Sequence, residues 1–126
     1  MIRVNVTVDN QNRFLKLRVS GHAGAAAVGH DAICAGATTL AYSWAQMQRM
    51  LSSAGDIEGE ESAVLDEGRA EIKARFTPKA YRHALSSFET IMAGYQLLNA
   101  NYPEYVKYNQ KFIQASNAEA SSVSAS

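Results

Sequence analysis

The chain opens with two short segments in which apolar and polar residues alternate. The apolar positions of the first segment are Ile2, Val4, Val6 and Val8. Residues 9–12 are Asp, Asn and Gln, which favour a turn, and alternation then resumes. The apolar positions of the second segment are Leu15, Leu17 and Val19. A period of two is typical of a strand with one buried face, so the pattern predicts a β-hairpin.

A helical period follows a loop of small residues that runs from Gly21 to His30. Between about Ala32 and Ser52 the apolar residues recur every three or four positions: Ile33, Ala37, Leu40, Ala41, Trp44, Met47 and Leu51. This spacing predicts one buried stripe along an amphipathic helix. Asp31 directly precedes the pattern, where an aspartate carboxylate caps a helix well. We therefore expect Asp31 to be the N-cap.

The second half of the chain repeats this order of elements. The acidic segment from Asp56 to Glu61 is predicted to be a loop. A second hairpin is predicted around the turn at residues 66–69, and its second strand alternates Ala70, Ile72, Ala74 and Phe76. Thr77 and Pro78 predict the start of a second helix, with Thr77 as the N-cap. Its apolar stripe is Tyr81, Ala84, Leu85, Phe88, Ile91, Met92, Tyr95 and Leu98, and Pro103 ends the helical region.

The predicted order ββαββα defines an α+β fold. Four half-buried strands and two amphipathic helices bury their apolar faces best when both helices pack on one face of a four-stranded, mostly antiparallel sheet. We expect one domain over residues 1–108 and a C-terminal extension over residues 109–126. The end of the extension, from Asn117, is mostly Ala and Ser, which predicts disorder.

Composition narrows the classes of partner. The formal net charge of the 126 residues is zero, with no obvious basic tract, so we expect no direct binding to nucleic acid. No apolar run approaches the ~20 residues that span a bilayer, and no signal-peptide pattern precedes the first strand, so no membrane partner is expected. A single cysteine excludes an intrachain disulfide and fits the cytoplasm.

That single cysteine, Cys34, is the candidate for chemistry. It falls near the predicted helix start, where unpaired backbone N–H groups and the positive end of the helix dipole favour a thiolate. His22 precedes the small-residue loop, from which its imidazole could serve as the base and then as the acid for the leaving group. The N–H groups at the helix start could bind an oxyanion. Acyl transfer on a peptide is the reaction class that follows.

The residues alone leave other interpretations open. A free cysteine is more often a small buried apolar residue than a nucleophile. A metal site with His22, His30 and Cys34 matches no recognised zinc spacing, so neither a metal nor a cofactor is predicted. A redox sensor is disfavoured because the chain has no second cysteine to resolve a sulfenic acid.

A resemblance changes this balance. The segments Gly21-His22-Ala23 and Gly29-His30-Asp31-Ala32-Ile33-Cys34-Ala35-Gly36 resemble the motif of the ribosomal-processing cysteine protease family in residue type, spacing and position. The ββαββα order also resembles the fold of that family, and so does the closing segment Tyr102-Pro103-Glu104-Tyr105. The resemblance covers about residues 2–108.

The resemblance implies a function and a site. It implies a cysteine endopeptidase that removes the N-terminal extension of large-subunit ribosomal protein twenty-seven, acting as a homodimer. Cys34 would be the nucleophile and His22 the base, with supporting roles for Asp31 and Thr38, the latter standing where the family more often has serine. The glycine-rich loop, including Gly21, Ala23, Gly24 and Gly29, would close over the peptide. The alternative is a non-catalytic dimeric module that binds a ribosomal protein or an assembly factor.

Overall fold

A computed structural model shows how these segments pack. It describes residues 1–22 and 30–113, and for His30 and Asp31 it describes the backbone alone. The elements in chain order are β1 (Ile2–Asp9), β2 (Phe14–Gly21), α1 (His30–Ser53), β3 (Ile57–Asp66), β4 (Arg69–Phe76), α2 (Tyr81–Asn101) and β5 (Val106–Ile113). The predicted α+β fold is confirmed, with one strand more than the sequence pattern predicted.

The sheet is five-stranded and mixed, in the order β3-β4-β2-β1-β5. The two hairpins are antiparallel and lie side by side because β2 also pairs antiparallel with β4. β5 adds to the outer edge of β1 in parallel. Apolar and polar side chains alternate along β1 and β4, and along β2 after Phe14. One face of the sheet is therefore apolar and covered by α1 and α2, while the other is mostly polar.

The predicted four-stranded sheet is wrong at its far edge. Residues 106–108 were expected to end the domain and residues 109–113 to begin the extension, yet together they form β5, in register with β1 from Ile2 opposite Val106 to Asp9 opposite Ile113. Only Val106 in β5 is fully buried, so its apolar alternation is weak. Residues 106–113 become a strand because they pair with the open edge of β1. The expected boundary after Tyr108 therefore falls inside a strand, and the predicted disordered end lies outside the described residues.

The predicted acidic loop at Asp56 to Glu61 is also wrong over most of its length. β3 begins at Ile57 and reaches β4 through two register shifts, one between Ile57 and Gly59 and one between Gly59 and Ser62. Such shifts disrupt the period of two that marks a regular strand. They also twist the edge of the sheet, which hinders pairing with other chains.

The helices begin at positions that differ slightly from the predictions. α1 begins at His30, so Asp31 lies within its first turn instead of at its cap. α2 begins at Tyr81 with Ala80 at its cap, and no side chain caps it. Thr77 still satisfies a backbone donor one turn earlier, because its hydroxyl oxygen accepts a 3.2 Å hydrogen bond from the Ala80 N–H. Within the described residues, neither helix has the length and apolar content needed to cross a bilayer.

The two helices pack closely where their side chains are small. A Cβ at Gly94 would lie 2.8 Å from Leu40 Cδ2, so α2 leaves room for that leucine only because residue 94 is glycine. The buried Tyr95 hydroxyl donates a 2.7 Å hydrogen bond to the carbonyl oxygen of Ala37 in α1. Trp44 is fully buried between Phe88 and Phe76, with ring centroids at 4.8 Å and 6.3 Å. These contacts fix where α1 lies on the sheet, and hence where Cys34 lies.

Candidate active site

A cavity of about 420 Å³ opens where α1 passes over one end of the sheet. Three strand ends meet there, because β1 begins, β2 ends and β4 begins at the same edge. The cavity floor is formed by apolar residues of these strands and of α1: Ile2, Val19, Ala70, Ala37 and Ala41. Its rim carries the exposed side chains of Tyr42 and Leu65.

Cys34 lines this cavity and is half-buried, with its side chain against the hydrophobic core. Because α1 begins at His30, Cys34 is the fifth helical residue rather than a first-turn residue as predicted. In an α-helix the N–H of the fifth residue donates to the carbonyl of the first, so the backbone donors left without helical partners belong to the preceding turn. The thiol therefore lies just after the unpaired N–H groups, not among them.

His22 lines the same cavity from the opposite side, immediately after the end of β2. Its imidazole lies over the turn between β3 and β4: a Cβ on Gly68 would be 2.8 Å from His22 Nε2 and 3.2 Å from Cε1. The same turn is tied to the residue before the histidine, because the Gly21 N–H donates a 2.9 Å hydrogen bond to the Gly68 carbonyl. The missing side chain at Gly68 thus makes the space that the imidazole occupies.

Gly21 holds the backbone path into His22. Its φ is +90°, and a Cβ there would lie 2.2 Å from the carbonyl oxygen of Met1. An L-residue disfavours this backbone region, and the clash is with backbone that cannot rotate away. The amino group of Met1 donates a hydrogen bond to the carbonyl of His22, so β1 and β2 pair up to the cavity edge. Gly21 was predicted as a loop residue, and it is the last residue of β2.

The other predicted residues divide into two groups. Thr38 lines the cavity one turn after Cys34, with an exposed side chain. Ala23, Gly24 and Gly29 lie outside the described residues, and so does the side chain of Asp31. Across residues 1–22 and 30–113, no cluster of three His, Cys, Asp or Glu side chains could hold a metal ion.

Sequence reasoning missed the part of the site that β3, β4 and their turn supply. Leu65, Asp66, Glu67, Gly68, Arg69 and Ala70 all line the cavity. Residues 66–69 were predicted correctly as a turn, but nothing in the local pattern connects this turn to His22. The connection depends on the pairing of β2 with β4, which places Ser20 opposite Arg69. The turn therefore belongs to the site because of strand pairing, not because of its position in the sequence.

The fold and the cavity together define a class of protein. A cysteine on the first turns of a helix and a histidine at a strand end share one cavity beside an α+β sheet, as in a thiol-dependent hydrolase. The sequence profile of a family described as cysteine protease Prp matches residues 1–107. The chain belongs to this family of cysteine proteases.

Solved structures share the fold. The SMU.848 protein of Streptococcus mutans superposes with a TM-score of 0.65 at 23% identity, covering 90% of this chain and 96% of that protein. The essential ribosomal processing protease Prp of S. aureus with a substrate peptide gives 0.63 at 20% identity, covering 88% and 100%. The same protease with a covalently linked product peptide gives 0.62 at 23%, also covering 88% and 100%. A comparison with curated proteins finds no match.

Proposed function

We propose that this protein is a cysteine endopeptidase that removes the N-terminal extension of large-subunit ribosomal protein twenty-seven, with Cys34 as the nucleophile and His22 as the general base. The observation that carries the proposal is the shared cavity: Cys34 and His22 line it together, in a chain of a cysteine protease family. The peptide ligands of the S. aureus structures support a peptide as the substrate.

In this mechanism His22 accepts the thiol proton as Cys34 Sγ attacks the carbonyl carbon of the scissile peptide bond. The carbon–nitrogen bond then breaks, the imidazolium gives its proton to the departing amine, and an acyl thioester remains on Cys34. Water attacks the thioester and loses a proton to His22, which returns it to the sulfur. The unpaired N–H groups in the first turn of α1 are the proposed donors to the oxyanion.

The shape of the cavity supports an extended peptide with apolar side chains. Its floor is apolar, and Tyr42 and Leu65 add exposed apolar surface at the rim. A volume of about 420 Å³ accommodates a few side chains, not a folded domain. We assign the loop that contains Ala23, Gly24 and Gly29 to closure over the peptide, and Asp31 and Thr38 to supporting the geometry around Cys34. Homodimerisation and a cytoplasmic location stay predictions.

The test is cleavage of a peptide that spans the extension and the mature N-terminus. Cys34→Ala and Cys34→Ser should abolish cleavage, and His22→Ala should reduce it by roughly 100-fold or more while peptide binding persists. His83→Ala is the matched control because His83 is exposed on α2, outside the cavity. Full cleavage by Cys34→Ala would refute the proposal. Binding without cleavage by the wild-type protein would favour the non-catalytic module instead.

A further inference from the structure

The face of the sheet opposite the helices concentrates the positive charge of the chain. Strand register places eight of the twelve lysine and arginine residues there: Arg3, Lys16, Arg18, Arg69, Lys73, Arg75, Lys107 and Lys111. They occupy the positions that alternate with the buried residues of β1, β2, β4 and β5. Acidic residues at the corresponding positions are fewer, Asp9, Asp66 and Glu71, so a net charge of zero conceals a basic surface, which we call the open face.

Two pairs of cations lie directly opposite each other on this face. Lys16 in β2 is the register partner of Lys73 in β4, and Arg3 in β1 is the partner of Lys107 in β5. Directly opposed side chains are about 5 Å apart at Cβ, and like charges at that distance destabilise a sheet. Lys16 is offset in part by Glu71 at 3.9 Å, whereas Arg3 and Lys107 have no ion-pair partner among the described residues, and an anion bound between opposed cations would relieve their repulsion.

Acidic side chains leave much of this charge uncompensated. Arg75 pairs with Glu58 at 3.4 Å and Glu60 at 3.7 Å, Arg69 with Asp66 at 3.4 Å, and Lys16 with Glu71 at 3.9 Å. Among the residues the structure describes, the other five cations of the face form no ion pair: Arg3, Arg18, Lys73, Lys107 and Lys111. Their charges are therefore free for a ligand.

We propose that the open face binds the phosphate backbone of double-stranded RNA. The cations form two rows across the strands, one through Lys73, Lys16 and Lys111 and one through Arg69, Arg3 and Lys107. The rows are four residues apart along β1, roughly 13 Å at the rise of a strand, so that each can follow a different phosphate strand. Asn5 and Asn109 lie side by side between them, where amides can bond to 2′-hydroxyl groups.

Other anionic partners fit the face less well. A bilayer surface rewards apolar side chains that enter it, whereas the residues between the two rows are Asn5, Asn109, Arg18 and Glu71. Single-stranded RNA is held by rows of aromatic side chains, and the described part of the face carries only Phe14, at its far end. Contacts to the backbone of a duplex need neither feature.

The open face and the floor of the cavity are on opposite sides of the sheet. The floor uses Ile2, Val19 and Ala70, whose side chains point toward the helices, while Arg3, Arg18 and Lys73 point away. Arg69, at the strand end, belongs to the open face and also lines the edge of the cavity, so RNA on the other cations would leave the cavity floor accessible to a peptide. The RNA proposal does not depend on the peptidase proposal, and each can fail alone.

The experiment measures binding of a fluorescein-labelled RNA hairpin with a stem of about 16 base pairs by fluorescence anisotropy. The two test variants are Lys16→Gln with Lys73→Gln and Arg3→Gln with Lys107→Gln. The control, Lys79→Gln with Arg82→Gln, removes one cation just before α2 and one in its first turn. Each test variant should weaken binding at least tenfold at about 50 mM salt and reduce the slope of log affinity against log salt by about 2. The control should bind within twofold of wild type.

Two further measurements separate the outcomes. Arg3→Gln with Lys107→Gln should unfold at the wild-type temperature or higher, because it relieves repulsion between opposed cations. Lys16→Gln with Lys73→Gln should unfold close to the wild-type temperature, because the relieved repulsion is set against the loss of the Lys16–Glu71 ion pair. Both variants should cleave the peptide at the wild-type rate. The proposal would be overturned if the wild-type protein did not bind the hairpin, or if the control variant lost as much affinity as the test variants. Stronger binding to phosphatidylserine vesicles than to the hairpin would overturn it in favour of a membrane surface.

Discussion

Replacing Gly68 with alanine tests whether the β3–β4 turn positions His22. The added Cβ would lie 2.8 Å from His22 Nε2, whereas ordinary contacts begin at about 3.4 Å, so the imidazole must move by at least about 0.6 Å. The ring is the far end of an exposed side chain, so it can move at little cost in stability. Displacing a general base by this distance should reduce kcat/KM for peptide cleavage by roughly tenfold or more.

The chain offers a matched control for the backbone strain of this substitution. Gly55 has a φ of +80° and Gly68 a φ of +73°, and a Cβ on Gly55 would meet nothing within 4 Å. Both Gly68→Ala and Gly55→Ala should cost about 1 kcal/mol in unfolding free energy, because alanine disfavours positive φ. Only Gly68→Ala should slow cleavage.

The assay is steady-state cleavage of a fluorogenic peptide, with urea denaturation to measure stability. A double-mutant cycle adds a stricter criterion: in a His22→Ala background, Gly68→Ala should slow cleavage no further, because the imidazole it displaces is already gone. Equal rates for Gly68→Ala and Gly55→Ala would refute the argument that the turn positions the histidine. A full additional loss in the His22→Ala background would show that Gly68 acts through something else.

Three further predictions concern stability. Tyr95→Phe removes the buried 2.7 Å hydrogen bond to Ala37 and should cost about 1 kcal/mol in urea denaturation; an unchanged midpoint would contradict this role. Burial, followed by the carboxylates of Asp9 and Glu89, raises the pKa of the Tyr81 hydroxyl from 10.0 to about 12. The folded state holds this proton more tightly than the unfolded state does. The resulting stabilisation of the fold is therefore complete below pH 10 and is lost as pH rises toward 12. Partial exposure reduces it to about 1 kcal/mol, and Tyr81→Phe should flatten the fall in stability over that interval. Gly21→Ala combines a φ of +90° with a 2.2 Å clash against the Met1 backbone, so it should reduce the free energy of unfolding by at least about 2 kcal/mol in thermal unfolding. This loss should exceed that of Gly55→Ala. Equal losses would show that the end of β2 can shift to relieve the clash.

Most of the fold could be predicted from residue periodicity, because the buried faces are regular. The stripe of α1 is buried or half-buried at every predicted position, and the alternation in β1, β2 and β4 matches their burial. Prediction failed where burial is weak. Edge strands β3 and β5 are mostly exposed, so the period of two is diluted in β5 and broken by register shifts in β3.

The site could be predicted in part. Cys34 and His22 were recognised as candidates from residue type and spacing, and both line one cavity. Their proposed roles still await the cleavage assay. The contribution of Gly68 was not predictable, because it lies 46 positions after His22 and meets it only through the pairing of β2 with β4.

Charge illustrates the same division between sequence and structure. The sequence specifies eight cations at alternating positions of four strands, but the formal net charge of zero suggested that no basic surface exists. The strand order brings those cations onto one face, and α1 and α2 cover the other.

By itself, the sequence determined the regular elements β1, β2, β4, α1 and α2, their buried faces and the two residues proposed for chemistry. Each of these depends on neighbours within a few positions, where side-chain spacing acts directly. Only the tertiary structure decided that β5 joins the sheet, that a distant turn supports His22 and that the cations share a face. Those depend on pairing between strands far apart in the chain, for which local spacing carries no information.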